Sequence, residues 1–254
     1  MTGRLDGTAA LVTGASSGIG EATAAALAAE GAAVALAARR TDRLDTLAAR
    51  ITGDGGRALV ITADITDEAQ ARDAVEQAAA ELGRLDTVVN NAGVMLLGPA
   101  LEAPLEEWER MVRLNLLGLL YCTHAAMPHL LRAAEDSPRG VADLVNISSV
   151  AGRTVRLGSG VYNATKHGVG AFSESLRLEV TRRHVRVSLV EPGAVETELA
   201  GHNRPEVLAG LRQRFASMDR LQVDDVADAV GYIVTRPRHV AINEILIRPT
   251  EQDA

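Results

Sequence analysis

The sequence predicts a single-domain α/β fold in which helices cover both faces of a doubly wound, mostly parallel sheet. Short apolar runs alternate along the 254 residues with longer helix-like segments, a pattern typical of buried parallel strands joined by helical crossovers. A glycine-rich turn lies between the first apolar run and the first helical segment. The length suits one domain with a full core. Residues 1–254 are therefore expected to form one unit.

The elements follow one another in strict alternation. Strands are expected at residues 8–13, 33–38, 58–62, 87–90, 143–147 and 185–190. Helices are expected between and after them, at residues 18–30, 42–51, 67–82, 105–131 and 161–183. Right-handed crossovers place such helices on both faces of the sheet. Ligands bind beyond the carboxyl ends of the strands in sheets of this kind, so residues 193–215, which follow a strand, are a candidate substrate lid.

The composition excludes several classes of protein. Hydrophobic residues make up 47% and charged residues 23%, as in a globular protein, whereas the net charge of −7 and the 2% aromatic content argue against a nucleic-acid partner. The single cysteine, Cys122, allows neither an internal disulfide nor a thiolate cluster, and no metal site is expected. No signal-like N-terminus and no membrane-spanning run is seen. We therefore expect a cytoplasmic protein with no membrane partner.

The glycine-rich turn carries the first chemical signal. Missing side chains let the backbone turn sharply and approach a phosphate, while the first N–H groups of the following helix attract anions. The context of strand, turn and helix predicts a Rossmann-type pyrophosphate site, with an ordinary tight turn as the alternative. The expected contacts are Gly14, Ser16, Ser17, Gly18, Ile19 and Gly20.

The ends of the next strands indicate which dinucleotide is bound. Arg39 and Arg40 follow the second strand, where many NAD-binding folds place an acid for the ribose 2′-hydroxyl. Two guanidinium groups suit a 2′-phosphate, so NADP(H) is favoured over NAD(H); a solvated basic loop is the alternative. Asp64 and Ile65 are expected near the adenine, although helix capping in this region is also open. The fourth strand ends in residues that could contact the adenosine ribose or fasten neighbouring loops: Asn91, Ala92 and Gly93.

Tyr162 and Lys166 carry the second chemical signal. They stand four residues apart, about one helical turn, so the phenol and the ammonium group share a helix face. A nearby cation favours the charged form of a tyrosine, and the pair is a candidate general acid/base at an alcohol oxygen. Ser149 precedes Tyr162 by thirteen residues. Together with the glycine-rich turn, these residues predict hydride chemistry with a dinucleotide.

These motifs, in this order, resemble those of the short-chain dehydrogenase/reductases, in their compact single-domain branch. The resemblance covers nearly the whole chain and includes T-G-x-x-x-G-x-G, N-N-A-G, Asn115, Ser149, Y-x-x-x-K and P-G. It implies that Tyr162 exchanges a proton with the substrate oxygen, which Ser149 holds. It also implies that Lys166 binds the nicotinamide ribose and lowers the pKa of Tyr162, while Asn115 binds a water linked to Lys166. The nicotinamide would pack against Pro192, Gly193, Val195 and Thr197.

The substrate side is expected to be largely apolar. Arg153 is a candidate for a substrate carboxylate or for a surface ion pair, and His202 in the lid is a candidate substrate contact. The predicted substrate pocket consists of Leu96, Leu97, Ser149, Arg153, Val155, Tyr162, Leu199 and His202.

The predicted activity is NADP(H)-dependent interconversion of a small-molecule carbonyl, a ketone or an aldehyde, and an alcohol. A non-catalytic NADP(H)-binding sensor and a 3-hydroxy acid dehydrogenase are the alternatives. Residues 95–99 and 244–250 are similar to clavulanate dehydrogenase-like NADPH reductases. The family resemblance also implies a homotetramer or a homodimer. The long helices carry more apolar surface than one sheet face needs, and exposed apolar patches usually find partners.

Overall fold

The computed structural model describes residues 3–214 and 217–253, and within these ranges seven parallel strands form one sheet in the order β3-β2-β1-β4-β5-β6-β7. The strands are β1 (Ala9–Thr13), β2 (Ala33–Ala38), β3 (Arg57–Thr62), β4 (Thr87–Asn90), β5 (Ala142–Ile147), β6 (Val185–Pro192) and β7 (Glu244–Ile247). Each predicted strand is present, with ends within two residues of those expected. The strand order turns back beside β1, so the sheet is doubly wound and the predicted fold class is confirmed.

The helices of the described ranges lie between these strands and after β6. They are α1 (Gly18–Ala29), α2 (Thr41–Gly53), α3 (Glu68–Leu82), α4 (Leu105–Val112), α5 (Leu119–Asp136), α6 (Gly160–Val180), α7 (Pro205–Arg214) and α8 (Val223–Val234). The helix predicted over residues 105–131 is interrupted by a π-helical turn at Arg113–Gly118. Such a turn bonds each N–H one residue further back than an α-helix does, and this periodicity change has no signature in an apolar pattern.

Small aliphatic side chains fill both faces of the sheet. Adjacent residues of β1 point to opposite sides, so Leu11 packs with Leu130 of α5 while Val12 packs with Leu27 of α1 and Ile233 of α8. All five of these side chains are completely buried. Helices on both faces therefore hold the strands in register, and α8, which the sequence reading omitted, completes one of the two layers.

The parallel arrangement brings the functional segments to one edge. The last residues of β1, β2, β4, β5 and β6 all lie at the carboxyl edge of the sheet, and the loops that follow them form a crevice there. Within the described ranges, no helix combines the length and hydropathy needed to cross a membrane.

Candidate active site

A cavity of about 430 Å³ opens at the carboxyl edge of the sheet. Its walls run from the glycine-rich turn to the Tyr162–Lys166 pair. The predicted site residues that line it are Gly14, Ser16, Ser17, Gly18, Ile19, Arg39, Arg40, Asp64, Ile65, Asn91, Ala92, Gly93, Leu97, Ser149, Tyr162, Lys166, Pro192, Gly193, Val195, Thr197, Leu199 and His202. Residues far apart in the sequence are thus gathered around one cavity, whose volume lies within the range of small-molecule sites.

The glycine-rich turn fits a pyrophosphate group. Gly14 has a φ of +68°, and a Cβ there would lie 2.8 Å from the Cα of Ala92, so only glycine is accommodated. Ser17 occupies the N-cap of α1 but makes no capping bond with its side chain, which leaves the first N–H groups of the helix for an anion. Gly20 does not line the cavity: a Cβ there would meet the Asn91 side chain at 2.3 Å, so this glycine permits packing behind the turn.

Two arginines stand at the adenosine end of the cavity. Arg40 donates to the Ser16 hydroxyl at 3.2 Å and to the Ser17 hydroxyl at 2.6 Å, which holds its guanidinium group against the glycine-rich turn. Arg39 is largely exposed and lies 3.8 Å from the Asp64 carboxylate. Asp64 also accepts from the Thr66 backbone and hydroxyl. The donors at the end of β2 therefore fit a phosphate ester better than a ribose hydroxyl.

Asn91 fastens two strand ends together. Its backbone N–H donates to the Thr13 hydroxyl at 3.1 Å, and its side-chain amide donates to the Thr13 carbonyl at 3.0 Å. The preceding Asn90 is buried and donates to Thr123 and Asn146, both at 2.9 Å. These bonds show the fastening role that the sequence left open. The next two residues, Ala92 and Gly93, line the cavity.

The buried side chain of Asn115 lies in the π-helical turn and does not line the cavity. Its amide accepts from the Val94 N–H and donates to the Val94 carbonyl, both at 2.8 Å, and it also reaches the Thr165 hydroxyl at 3.3 Å. Val94 itself lines the cavity. The side chain of Asn115 therefore fixes the loop after β4 and links it to Thr165 of α6.

Tyr162 and Lys166 lie one turn apart on α6, and both side chains are buried at 7% and 6% exposure. The Lys166 Nζ atom lies 5.9 Å from the centroid of the Tyr162 ring and donates to the Ile147 carbonyl at 2.9 Å. Burial lowers the pKa of Lys166 from 10.5 to about 8. Lys166 is also the single lysine of the chain, every other Lys/Arg position being arginine. The one lysine ammonium group of the sequence is therefore this buried one.

The pKa of Tyr162 is shifted upwards, whereas the family resemblance implied a downward shift. Burial raises it above its ordinary value, and a hydrogen bond from Ser149 lowers it by less. The expected lowering by Lys166 is not seen, because desolvation disfavours both the phenolate and the ammonium group. Ser149 itself lies at the end of β5, where its hydroxyl also accepts from the Ala151 N–H at 3.1 Å. The phenol is therefore protonated at neutral pH.

Three predictions for the substrate pocket need correction, because these residues do not line the cavity. Leu96 packs into a buried cluster with Met111 and Tyr162, whereas its neighbour Leu97 faces the cavity. The Arg153 guanidinium group is held by Glu191 at 2.6 Å and by Glu244. Val155 is exposed to solvent at 77%.

Other residues that line the cavity were missed by the sequence reading. They are mostly on the loops after β4, β5 and β6, including Val94, Met95, Ala151, Thr154, Arg156, Ser159, Asn163, Ala194, Glu198, Ala200, Leu211, Arg220 and Gln252. Arg156 lines the cavity, whereas Arg153, which was expected there, does not. The spacing from Ser149 carries no signal that separates these two arginines, because the loop is irregular.

The lid segment is built from a 3₁₀ helix at Glu198–His202 followed by α7, and residue 215, at the end of the predicted lid, lies outside the described residues. Asn203 joins it to the loop after β4: it accepts from the Leu97 N–H at 2.7 Å and donates to the Met95 carbonyl at 2.9 Å. Burial and the positive charge of Arg110 lower the pKa of His202, so this ring is neutral at pH 7. Among the residues that the structure describes, no cluster of His, Cys, Asp or Glu could hold a metal ion.

Residues 8–208 match the sequence model of the short chain dehydrogenase family. The chain is 40% identical over 250 residues, 98% of its length, to a glycine betaine reductase of Emericella nidulans. It is 35% identical over 240 residues to an uncharacterized oxidoreductase of Staphylococcus aureus, which covers 94% of this chain and 96% of that protein. Among solved structures, the closed form of serine dehydrogenase complexed with NADP+ superposes with a TM-score of 0.88 at 32% identity, over 97% of each chain.

The chain therefore belongs to the short-chain dehydrogenase/reductase family, and it is an oxidoreductase of the class that acts on CH–OH donors. It spans 19% of the length of the glycine betaine reductase but nearly all of the other two relatives. These comparisons do not single out the clavulanate dehydrogenase-like reductases, and that narrower resemblance stays a prediction.

Proposed function

We propose that the protein interconverts a ketone or aldehyde with the corresponding alcohol, using NADP(H), and that Tyr162 is the general acid/base. The observation that carries the proposal is the buried group of Tyr162, Ser149 and Lys166 on the wall of a cavity whose other end is the glycine-rich turn. Nothing else among the described cavity-lining residues combines a proton donor, an oxygen-binding hydroxyl and a cation in this way.

The cofactor would be held along the carboxyl edge of the sheet. The glycine-rich turn and the start of α1 would hold the pyrophosphate, and Arg39 and Arg40 would bind the 2′-phosphate. When bound, NADP(H) supplies or accepts the hydride. One similar solved structure is a complex with NADP+ and another is a complex with NADH, so the choice of NADP(H) rests on Arg39 and Arg40.

Proton transfer follows from the electrostatics of the buried group. Because burial raises the pKa of Tyr162, the phenol carries its proton at neutral pH and can donate it to a carbonyl oxygen during reduction. The Ser149 hydroxyl, already bonded to the phenol, would orient that oxygen. The hydrogen bond with Ser149, which lowers the pKa of Tyr162, would stabilise the phenolate that is left.

A 3-hydroxy acid is the second candidate substrate class. Arg156 and Arg220 line the cavity, and a guanidinium group at the wall suits a carboxylate. The similar serine dehydrogenase supports the same class. Oxidation rates for 3-hydroxy acids and for their methyl esters distinguish a 3-hydroxy acid substrate from an uncharged alcohol, since a carboxylate-binding site would favour the free acids.

A homotetramer in the cytoplasm completes the proposal. Leu178, Tyr232 and Leu246 are large apolar side chains that are between 42% and 64% exposed, as expected for surfaces that meet a second copy.

The Tyr162→Phe variant tests the proposed acid/base. Removing one hydroxyl should lower turnover by at least about a thousandfold, within the range that general acid–base catalysis and oxygen positioning supply together, while the NADPH affinity stays within about twofold. Turnover is followed by the loss of NADPH absorbance with a panel of aldehydes and ketones, and affinity by cofactor fluorescence. Substantial residual turnover would remove Tyr162 from its role, and weaker NADPH than NADH binding by the wild type would refute the cofactor assignment.

A further inference from the structure

An acidic residue of the lid lies among the arginines at the adenosine end of the cavity. Glu198 begins the 3₁₀ helix of the lid and lines the cavity together with Arg40. One of its carboxylate oxygens accepts from Arg40 at 3.0 Å, and the other accepts from Arg43 at 2.7 Å. One carboxylate thus engages two guanidinium groups of the loop and helix that follow β2.

The position of Arg40 makes this contact relevant to the cofactor. Besides Glu198, it donates to the hydroxyls of Ser16 and Ser17 in the glycine-rich turn. A Cβ on Gly18 would lie 3.4 Å from Thr197, the residue before Glu198. The start of the lid therefore lies directly against the turn that would hold the pyrophosphate.

Charge and exposure together make the contact exchangeable. Hydrogen bonds from Arg43 and Arg40 lower the pKa of Glu198, so the carboxylate is charged at neutral pH. All three side chains are nevertheless between 42% and 50% exposed, and exposed ion pairs are weak. A doubly charged phosphate ester presents more negative charge and more acceptor oxygens to the same donors than a carboxylate does.

We propose that Glu198, held by Arg43, is an internal anion that competes with the 2′-phosphate of the cofactor for Arg40, and so sets the selectivity between NADPH and NADH. The inference rests on the proposed function. Binding of the 2′-phosphate displaces Glu198 and releases the start of the lid. NADH shares the pyrophosphate but lacks the 2′-phosphate, so its affinity depends much less on Glu198.

The Glu198→Gln variant tests this competition, because it removes the charge and keeps the shape. We expect it to bind NADPH and 2′,5′-ADP about three- to tenfold more tightly than the wild type, as the loss of two exposed ion pairs allows, and to bind NADH within about twofold. Calorimetric titration of the three ligands measures this without turnover. Glu196→Gln is the matched control, since Glu196 lies two residues earlier, pairs with Arg220 at 2.9 Å and is similarly exposed.

The outcomes separate this inference from the proposed function. Selective tightening in Glu198→Gln and none in Glu196→Gln supports the competition. Unchanged NADPH affinity, equal tightening for NADH, or the same tightening in both variants overturns it while the NADP(H) assignment stands. If the wild type binds neither NADPH nor 2′,5′-ADP, the cofactor assignment fails as well.

Discussion

Replacement of Lys166 by methionine should abolish turnover and at the same time remove a pH-dependent loss of stability. The pKa of the buried amine is about 8, compared with 10.5 for a lysine in water, as in the unfolded chain. This difference of about 2.5 units corresponds to roughly 3 kcal/mol by which folding disfavours the charged form at neutral pH. Methionine removes that cost but also loses the bond from Nζ to the Ile147 carbonyl, which contributes about 1.5–3 kcal/mol. The two proteins should therefore have similar stabilities near pH 7.

The pH dependence distinguishes this account from simple loss of packing. Between pH 8 and pH 10.5 the unfolded wild type binds more protons at Lys166 than the folded one, so its free energy of unfolding rises with pH. From pH 7 to pH 9.5 the wild type should gain about 2 kcal/mol relative to Lys166→Met. Urea unfolding, followed by the fluorescence of the single tryptophan, Trp108, measures both proteins in matched buffers without cofactor. A constant difference over this pH range would refute the desolvation of Lys166.

Two further predictions concern the glycine-rich turn and the buried thiol. Gly14→Ala places a Cβ 2.8 Å from the backbone after β4 at a φ of +68°, so it should lower the free energy of unfolding by about 2 kcal/mol or more and weaken NADPH binding. Gly170 lies in open space within α6. Gly170→Ala should therefore raise the free energy of unfolding by about 0.5–1 kcal/mol in the same urea assay. Burial raises the pKa of Cys122 to about 12, so a maleimide should label it only as fast as the protein unfolds, and rapid labelling of the native protein would contradict its burial.

The sequence predicted the sheet well because its strands are short apolar runs bounded by turns. β4 was predicted residue for residue, and the signal is strong since a parallel strand is buried on both faces. The helix α8 was missed although its buried positions, from Val226 to Val234, follow a helical period and its N-terminus has a capping box between Gln222 and Asp225. The sequence therefore contains both a helical period and a cap for α8, whereas no apolar pattern marks the π-helical turn at Arg113–Gly118.

That Tyr162, Lys166 and Ser149 lie together was predictable for the same physical reason as the strands. Tyr162 and Lys166 share one helix, whose period fixes their separation, and Ser149 follows a strand whose end is fixed by pairing with its neighbours. The pKa of Tyr162 was not predictable, because it depends on the burial of the phenol by residues from other elements. Spacing therefore predicts which groups meet, while tertiary packing decides their protonation.

The walls of the substrate pocket follow a different logic, and this explains why they were predicted less well. They are irregular loops that hold one another: the Gly98 N–H donates to the Gly158 carbonyl at 2.8 Å, and Asn203 of the lid bonds Leu97 and Met95. No helical or strand period relates such residues, so neither the exclusion of Leu96 from the cavity nor its lining by Leu97 could be read from the chain. Asn163 of α6 also donates to the carbonyls of Ala151 and Thr154, both at 2.7 Å, so the loop after β5 is tied to the helix that carries Tyr162. The loops therefore shape the substrate side of the cavity, while α6 positions Tyr162 and Lys166.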